Sequence, residues 1–346
     1  MSSQANQTDN FEDSGLTRLT TETKWHDERY RRSVMASLVK GVYVLKDDHR
    51  RHRQGSEALA PPWWESFNFK LMHSLMDDGD SSIFGAVYEY IPVSNNFHDL
   101  KRAPKYVVAF RGTSRKQDTV LGDILLDIGV LVNTLHRSLR FKKAAQAVRK
   151  TFSEEGASRS NIWLAGHSLC ASIAMLAGKT MAKEGIFLES YLYNPPFVAA
   201  PIKLIGSMTV RRVIHGACTL FTVGLTVVLQ NNEERQQSED LFTAISPWVP
   251  NLFLHPNDVI CSGYIGYFEH RERMESIGGG VLGNLATRYS WQGLFMNATF
   301  GQEYWPEEKS HLIPSACVTT SSDPRPHKLS QWFTDDSVSG PTLYRY

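Results

Sequence analysis

The pentapeptide Gly166-His167-Ser168-Leu169-Cys170 stands between the strand-like run NIWLAG, Asn161 to Gly166, and an Ala-rich helical run from Leu169 to Lys183. A tight strand-to-helix turn of this kind holds a serine hydroxyl clear of a sheet at the start of a helix, the geometry of a nucleophile elbow. Small residues at both ends of the pentapeptide let the two backbones approach. Gly166 meets that need, whereas Cys170 puts a thiol at the second small position and predicts slight crowding of the turn. The plain structural alternative is a glycine that ends a strand and a serine that caps a helix.

A serine hydroxyl at its ordinary pKa is a poor nucleophile, so a histidine must take its proton and an acid must fix the tautomer of that histidine. With an elbow of this type the acid and then the base follow in the chain, on loops after later strands. Asp258, in His255-Pro256-Asn257-Asp258 after the strand-like LFLH, is in the required place for the acid. As a structural residue it would form an Asx-turn after Pro256. Two histidines compete for the base. His311 precedes the strand-like LIPSACVTT, and His327 follows it after the turn-rich SSDPRP; the position beyond the last strand favours His327. His167, beside the serine, reads as packing under the elbow. Acyl transfer also needs donors for an oxyanion. The backbone N–H of Leu169 is one, and Thr113, in the loop Arg111-Gly112-Thr113-Ser114 after the strand YVVAF, can offer its amide and its hydroxyl.

Around these residues, Tyr30, Val34, Leu38 and Val42 recur at four-residue spacing beside Met35, Val39 and Tyr43, which predicts a helix with one apolar face. The basic run His49 to Arg53 reads as its solvated end. FGAVYEYI from Phe84 and YVVAF from Tyr106 read as neighbouring strands. Helices are expected near Asp118 to Thr134 and Ser138 to Gly156, and strands at Phe187 to Tyr193, Leu252 to His255 and in LIPSACVTT from Leu312. This alternation predicts an α/β fold, a mostly parallel central sheet flanked by helices on both faces. The insert at about 201–240 breaks the rhythm. Its core, Val213 to Leu229, has no Asp, Glu, Lys or Arg, is shorter than a bilayer span, and reads first as a helical lid, second as a buried helix and third as a segment contacting a membrane.

The whole chain has 346 residues with 37 Lys+Arg against 36 Asp+Glu, a balance that argues against nucleic acid as a partner. A hydrophobic fraction of 42% is globular composition and excludes disorder throughout. The four cysteines are scattered without a CxxC pair, so neither a zinc site nor a disulfide framework is expected. Residues 1–24 read as a disordered leader without secretory or transit character, which points to a cytoplasmic protein, and 25–346 as a single domain. Gly278-Gly279-Gly280 lacks a following Lys-Ser/Thr and reads as a loop. Trp63 and Trp64 read as packing residues.

YVVAFRGTS, the acidic helix with Asp118, Asp123 and Asp127, NIWLAGHSL and HPNDVI together resemble the class 3 lipase family of α/β-hydrolases, the fungal triacylglycerol lipase type. The segments Asn194 to Phe197, His311 to Ala316 and His327 to Phe333 are similar to those of its plant lipase-like branch, whose members are sometimes labelled GDSL esterases. The GDSL serine is not found at Gly122-Asp123-Ile124-Leu125. The resemblance implies an α/β-hydrolase fold, Ser168 as nucleophile, Asp258 as acid, His327 as base, Thr113 and Leu169 as the oxyanion hole, and a lid. It implies an acyl ester of a lipid as substrate and no metal or organic cofactor. Cys170 departs from the usual glycine, and Ser330 stands where the plant branch has a second histidine. A different function class follows from those departures: a lipase-like scaffold that binds a lipid or a protein partner without turnover.

Overall fold

The computed structural model describes residues 10–19, 23–92, 101–112, 135–154, 161–197, 240–276 and 312–346. Among the described residues, eight strands form one sheet in sequence order. They are β1 (Phe69–Met76), β2 (Ile83–Tyr90), β3 (Tyr106–Phe110), β4 (Ile162–His167), β5 (Glu189–Tyr193), β6 (Asn251–Leu254), β7 (Ala316–Thr320) and β8 (Thr342–Tyr344). From β3 to β7 the strands are parallel, while β1, β2 and β8 extend the two edges by antiparallel pairing. The expected neighbours β2 and β3 do pair, Gly85 opposite Phe110 and Glu89 opposite Tyr106. β3 and β4 are buried along their whole length, the reason that they read as continuous apolar runs.

Helices cover both faces of this mixed α/β sheet. Tyr106, Val108, Phe110, Ile162, Leu164, Leu192 and Leu252 point to one face. There they meet α3 (Leu139–Glu154), α4 (Leu169–Lys183) and α5 (Gly263–Ser276). Their alternate neighbours Val107, Ala109, Trp163, Ala165, Tyr191, Tyr193 and Phe253 point to the other, under α1 (Glu28–Arg51) and the short α2 (Pro62–Glu65). The two sets follow from the period of two along each strand.

α1 starts where the Asp27 side chain accepts the Arg29 amide at 2.9 Å, satisfying one orphan donor of the first turn. It continues beyond the apolar pattern into the basic run, and stops where His52 turns left-handed at φ 56°. His49, Arg50 and Arg51 in the last turn complement the helix dipole, and Arg53 pairs with the buried Asp48 at 2.7 Å. Trp25 is wholly buried and makes edge contacts with Tyr30, Phe69, Tyr90 and Trp163. Trp63 and Trp64 are core residues of the same face.

Some elements differ from expectation. The leader departs from the disordered reading within 10–19: these residues form two short 3-10 turns, and Phe11 and Leu16 are buried, Phe11 edge-on to Trp63 and Phe67. β1, β8 and α5 were not anticipated. β1 is an edge strand with mostly exposed or half-buried positions, and so lacks apolar alternation. The expected helix near Asp118 to Thr134, the insert at 201–240 up to residue 239, and the Gly278–Gly280 run lie outside the described residues. Among the described residues, no helix is long and apolar enough to cross a membrane.

Candidate active site

β4 ends at His167 and α4 begins at Leu169, which leaves Ser168 alone to make the turn. Its backbone sits at φ 55°, ψ −137°, a region that costs a non-glycine residue about 1–3 kcal/mol and persists only when its surroundings impose it. The Ser168 amide donates to the Tyr193 carbonyl at 2.9 Å, and the Ser168 carbonyl accepts the Ala171 amide at 2.8 Å. Two glycines supply the space. A Cβ on Gly166 would lie 2.8 Å from the Ala171 Cα and from the Cys170 carbonyl oxygen. One on Gly112 would lie 2.6 Å from the Tyr43 hydroxyl and 2.8 Å from the Ser168 Cβ.

The Cys170 thiol is not among the atoms nearest the tight approach at Gly166. The close approach at Gly166 involves the Cys170 carbonyl and the Ala171 backbone, while the Cys170 side chain belongs to the apolar core under α4. Burial there pushes its thiol pKa up to about 11. Nor does the serine serve as a helix cap, since its side chain makes no capping hydrogen bond.

The loop beyond β7 carries His327 to the serine. His327 Nε2 lies 2.9 Å from Ser168 Oγ, and His327 Nδ1 lies 2.7 Å from Asp258 Oδ2. Asp258 is buried in the turn after β6, where its Oδ1 accepts the Ile260 amide at 3.0 Å. The Asx-turn alternative is thus also realised, one carboxylate oxygen closing the turn while the other faces the histidine. Oδ2 further accepts from Asn194 Nδ2 at 2.8 Å and from the Cys261 thiol at 3.2 Å. Burial pushes the Asp258 carboxyl up, but the donors from His327, Ile260 and Asn194 outweigh it and hold the group below its ordinary value.

Under the elbow, His167 does more than fill space. The Gly112 amide donates to the Tyr43 hydroxyl at 2.7 Å, and that hydroxyl lies 2.8 Å from His167 Nδ1. His167 Nε2 in turn lies 3.2 Å from the His327 carbonyl oxygen. With the tyrosine donating to Nδ1 and Nε2–H donating to the carbonyl, every member is satisfied by a neutral imidazole. Burial, and then the neighbouring His327, depress the His167 pKa to about 3, so it stays neutral. Burial also raises the Tyr43 pKa. Tyr43 was invisible in the sequence because it continues an apolar helical face. The only signal that pointed to Asn194 was its place in the NPPF segment.

Leu169 stands at the first position of α4, where a helix has no internal acceptor for the amide. The neighbouring loop is anchored by Arg111, whose buried guanidinium donates to the Ile83 carbonyl at 2.6 Å and the Gly112 carbonyl at 2.8 Å. Thr113, one residue further, lies outside the described residues, as do His311 and the apolar segment 213–229. Asp323 is engaged with Arg325 at 3.1 Å, and its carbonyl lies 2.8 Å from His255 Nε2.

No family model matches the chain. A curated GDSL esterase/lipase of Arabidopsis thaliana is 39% identical to it over 354 residues, covering 98% of each protein. Among solved structures, a lipase from Rhizopus microsporus var. chinensis matches over 66% of each chain, at 13% identity and a TM-score of 0.32.

Proposed function

The chain belongs to the esterase/lipase family of its Arabidopsis relative, and on that premise we propose that it is a carboxylester hydrolase with an α/β-hydrolase fold that works through Ser168, His327 and Asp258. The observation that carries the reading is the unbroken run of short contacts, 2.9 Å from Ser168 Oγ to His327 and 2.7 Å from His327 to Asp258. In this reading His327 Nε2 takes the hydroxyl proton as Oγ attacks the acyl carbonyl carbon. The amides of Leu169 and Thr113 receive the oxyanion, and the imidazolium returns its proton to the departing alkoxide. Water, activated by the same histidine, then releases the acyl group as the acid. Asp258 holds the proton on Nδ1 and offsets the charge of the imidazolium.

The substrate class we propose is an acyl ester of a lipid, in keeping with the charge-free segment Val213 to Leu229. The reading rests on Ser168 and not on a Gly-Asp-Ser motif. Gly79-Asp80-Ser81 forms the exposed turn between β1 and β2, where Asp80 accepts the Ser82 amide at 3.0 Å.

The test is labelling of the purified protein with a fluorophosphonate probe, which reports an activated serine without knowledge of the substrate. Wild type should label, and Ser168→Ala and His327→Ala should not. Loss of such a serine costs about 10⁶ in kcat in a well-studied serine hydrolase. His311→Ala should label as wild type does. A folded wild-type protein that stays unlabelled would overturn the reading in favour of a binding scaffold.

A further inference from the structure

Asn194 follows β5 and is fully buried, with both ends of its side-chain amide in use. Its Oδ1 accepts the indole N–H of the buried Trp332 at 2.9 Å. An indole can only donate, so this contact fixes which end of the amide is oxygen. The nitrogen at the other end donates to Asp258 Oδ2 at 2.8 Å and to the Pro326 carbonyl at 3.0 Å. Pro326 immediately precedes His327. One planar group therefore touches the carboxylate and the peptide that delivers the imidazole. The backbone is shaped for the task as well. Asn194 has φ 47°, a left-handed value that asparagine tolerates better than most residues, and its amide donates to the Phe253 carbonyl at 2.8 Å, extending the β5–β6 pairing by one residue.

We propose that Asn194 is a positioning residue for the acid and base of the hydrolytic reaction, holding the Asp258 carboxylate in line with His327 Nδ1 and fixing the loop that carries His327. The inference rests on the hydrolase reading above. With two N–H bonds from a rigid amide, the angle between carboxylate and imidazole is set before substrate arrives, and no reorganisation is needed as the imidazolium forms. Other polar groups around the pair share only part of this: Gln331 Nε2 also donates to the Pro326 carbonyl at 2.9 Å and to the Lys328 carbonyl at 2.9 Å, but makes no hydrogen bond to Asp258. The Cys261 thiol lies 3.2 Å from Asp258 Oδ2 and 3.9 Å from the His255 carbonyl but makes no bond to His327, and the neutral His167, bonded to Tyr43 on its other side, meets the pair at the His327 carbonyl and not at Asp258. His255 is occupied with the Asp323 carbonyl, the Arg325 guanidinium is paired with Asp323, and Lys40 acts on His167.

Two variants separate positioning from support of the fold. Asn194→Gly keeps the left-handed backbone and removes the amide. Asn194→Asp keeps the shape and the acceptor for Trp332, but replaces the donor with a second negative charge beside Asp258. Thermal melts establish that each is folded; kcat, KM and their pH profiles are then read with p-nitrophenyl butyrate beside fluorophosphonate labelling. Both variants should lose about 10- to 100-fold in kcat with KM within about twofold of wild type. In Asn194→Asp the added charge favours the protonated base, so the acid limb of kcat/KM should move to higher pH. Folded variants with wild-type kcat and an unmoved acid limb, beside a wild type that labels at Ser168, would overturn the inference and leave the hydrolase reading standing. An unlabelled, inactive wild type would overturn both.

Discussion

The two faces of the sheet contribute to the site in different currencies. Under α1 the core is aromatic, with Trp25, Trp63, Trp163, Tyr191, Tyr193, Phe253 and Trp332 packed together. Under α4 it is mostly aliphatic and small, rich in Ala171, Ala174, Ala177 and their neighbours, with fewer aromatic residues such as Tyr106, Phe110 and Trp248. Aromatic residues carry polar tips on large apolar bodies. The α1 face uses them to reach the site: Tyr43 grips the Gly112 amide and His167, and Trp332 grips Asn194. The α4 face contributes space instead, because Gly166 and Ala171 let strand and helix backbones come close enough to hold Ser168 in its strained turn. One face thus orients the groups of the site and the other makes room for them.

That division can be broken most severely on the small side. Gly166→Ala places a Cβ 2.8 Å from backbone atoms that have no rotamer with which to yield. Strand and helix must separate, moving both the Ser168 hydroxyl and the Leu169 amide. A folded Gly166→Ala protein should lose about 100-fold or more in esterase kcat. Turnover equal to wild type would mean that the elbow does not depend on this approach. The aromatic side should fail more gently. Tyr43→Phe removes one hydroxyl and leaves the Gly112 N–H and His167 Nδ1 without that partner, at a cost of about 1–3 kcal/mol, so kcat should fall about 10-fold with the fold retained. An unchanged kcat would reduce the Tyr43–His167 link to packing.

A pH prediction sharpens the same side. His167 ordinarily titrates at 6.5, and burial depresses it to about 3 in the folded protein. The unfolded chain therefore binds the extra proton first, and the stability that rests on neutral His167 is present above pH 6.5 and lost progressively as the pH falls toward 3. Asp258, whose pKa is lowered from 3.8, adds its own loss only below that value. Urea midpoints should fall between pH 6.5 and 5, and His167→Gln should flatten that slope. An equal slope in the variant would assign it to another group.

Much of this arrangement was legible in the sequence, for reasons that differ by residue. Buried parallel strands such as YVVAF and NIWLAG announce themselves as apolar runs, and the place of Ser168 between strand and helix follows from them. His327 and Asp258 were readable because each lies just beyond a strand, and the structure brings both within hydrogen-bonding reach of their expected neighbours. Tyr43 and Asn194 were not readable as site residues. Each acts through contacts with residues distant in the chain, Tyr43 with His167 across 124 positions and Asn194 with Asp258 across 64. β1 and β8 escaped notice because edge strands, half solvated, lose the apolar signal that marks the centre. The leader misled because two apolar anchors, Phe11 and Leu16, are enough to dock a polar segment on the aromatic face.

The smallest effect concerns Cys170, where sequence and structure pull apart. By position it occupies a place where a small residue is expected, and Cys170→Gly would relieve the turn if the thiol crowded it. Its side chain instead lies in the aliphatic core, only 1% exposed, and the tight contact at Gly166 is made by its carbonyl oxygen. Glycine would then remove buried apolar volume and loosen the first turn of α4 together, a cost of about 1–2 kcal/mol, with no gain in turnover because the atoms that hold Ser168 are untouched. A thermal midpoint lowered by a few degrees at wild-type kcat is the expected result. A rise in kcat would restore the crowding argument, and with it the view that the aliphatic face spoils the elbow instead of making room for it.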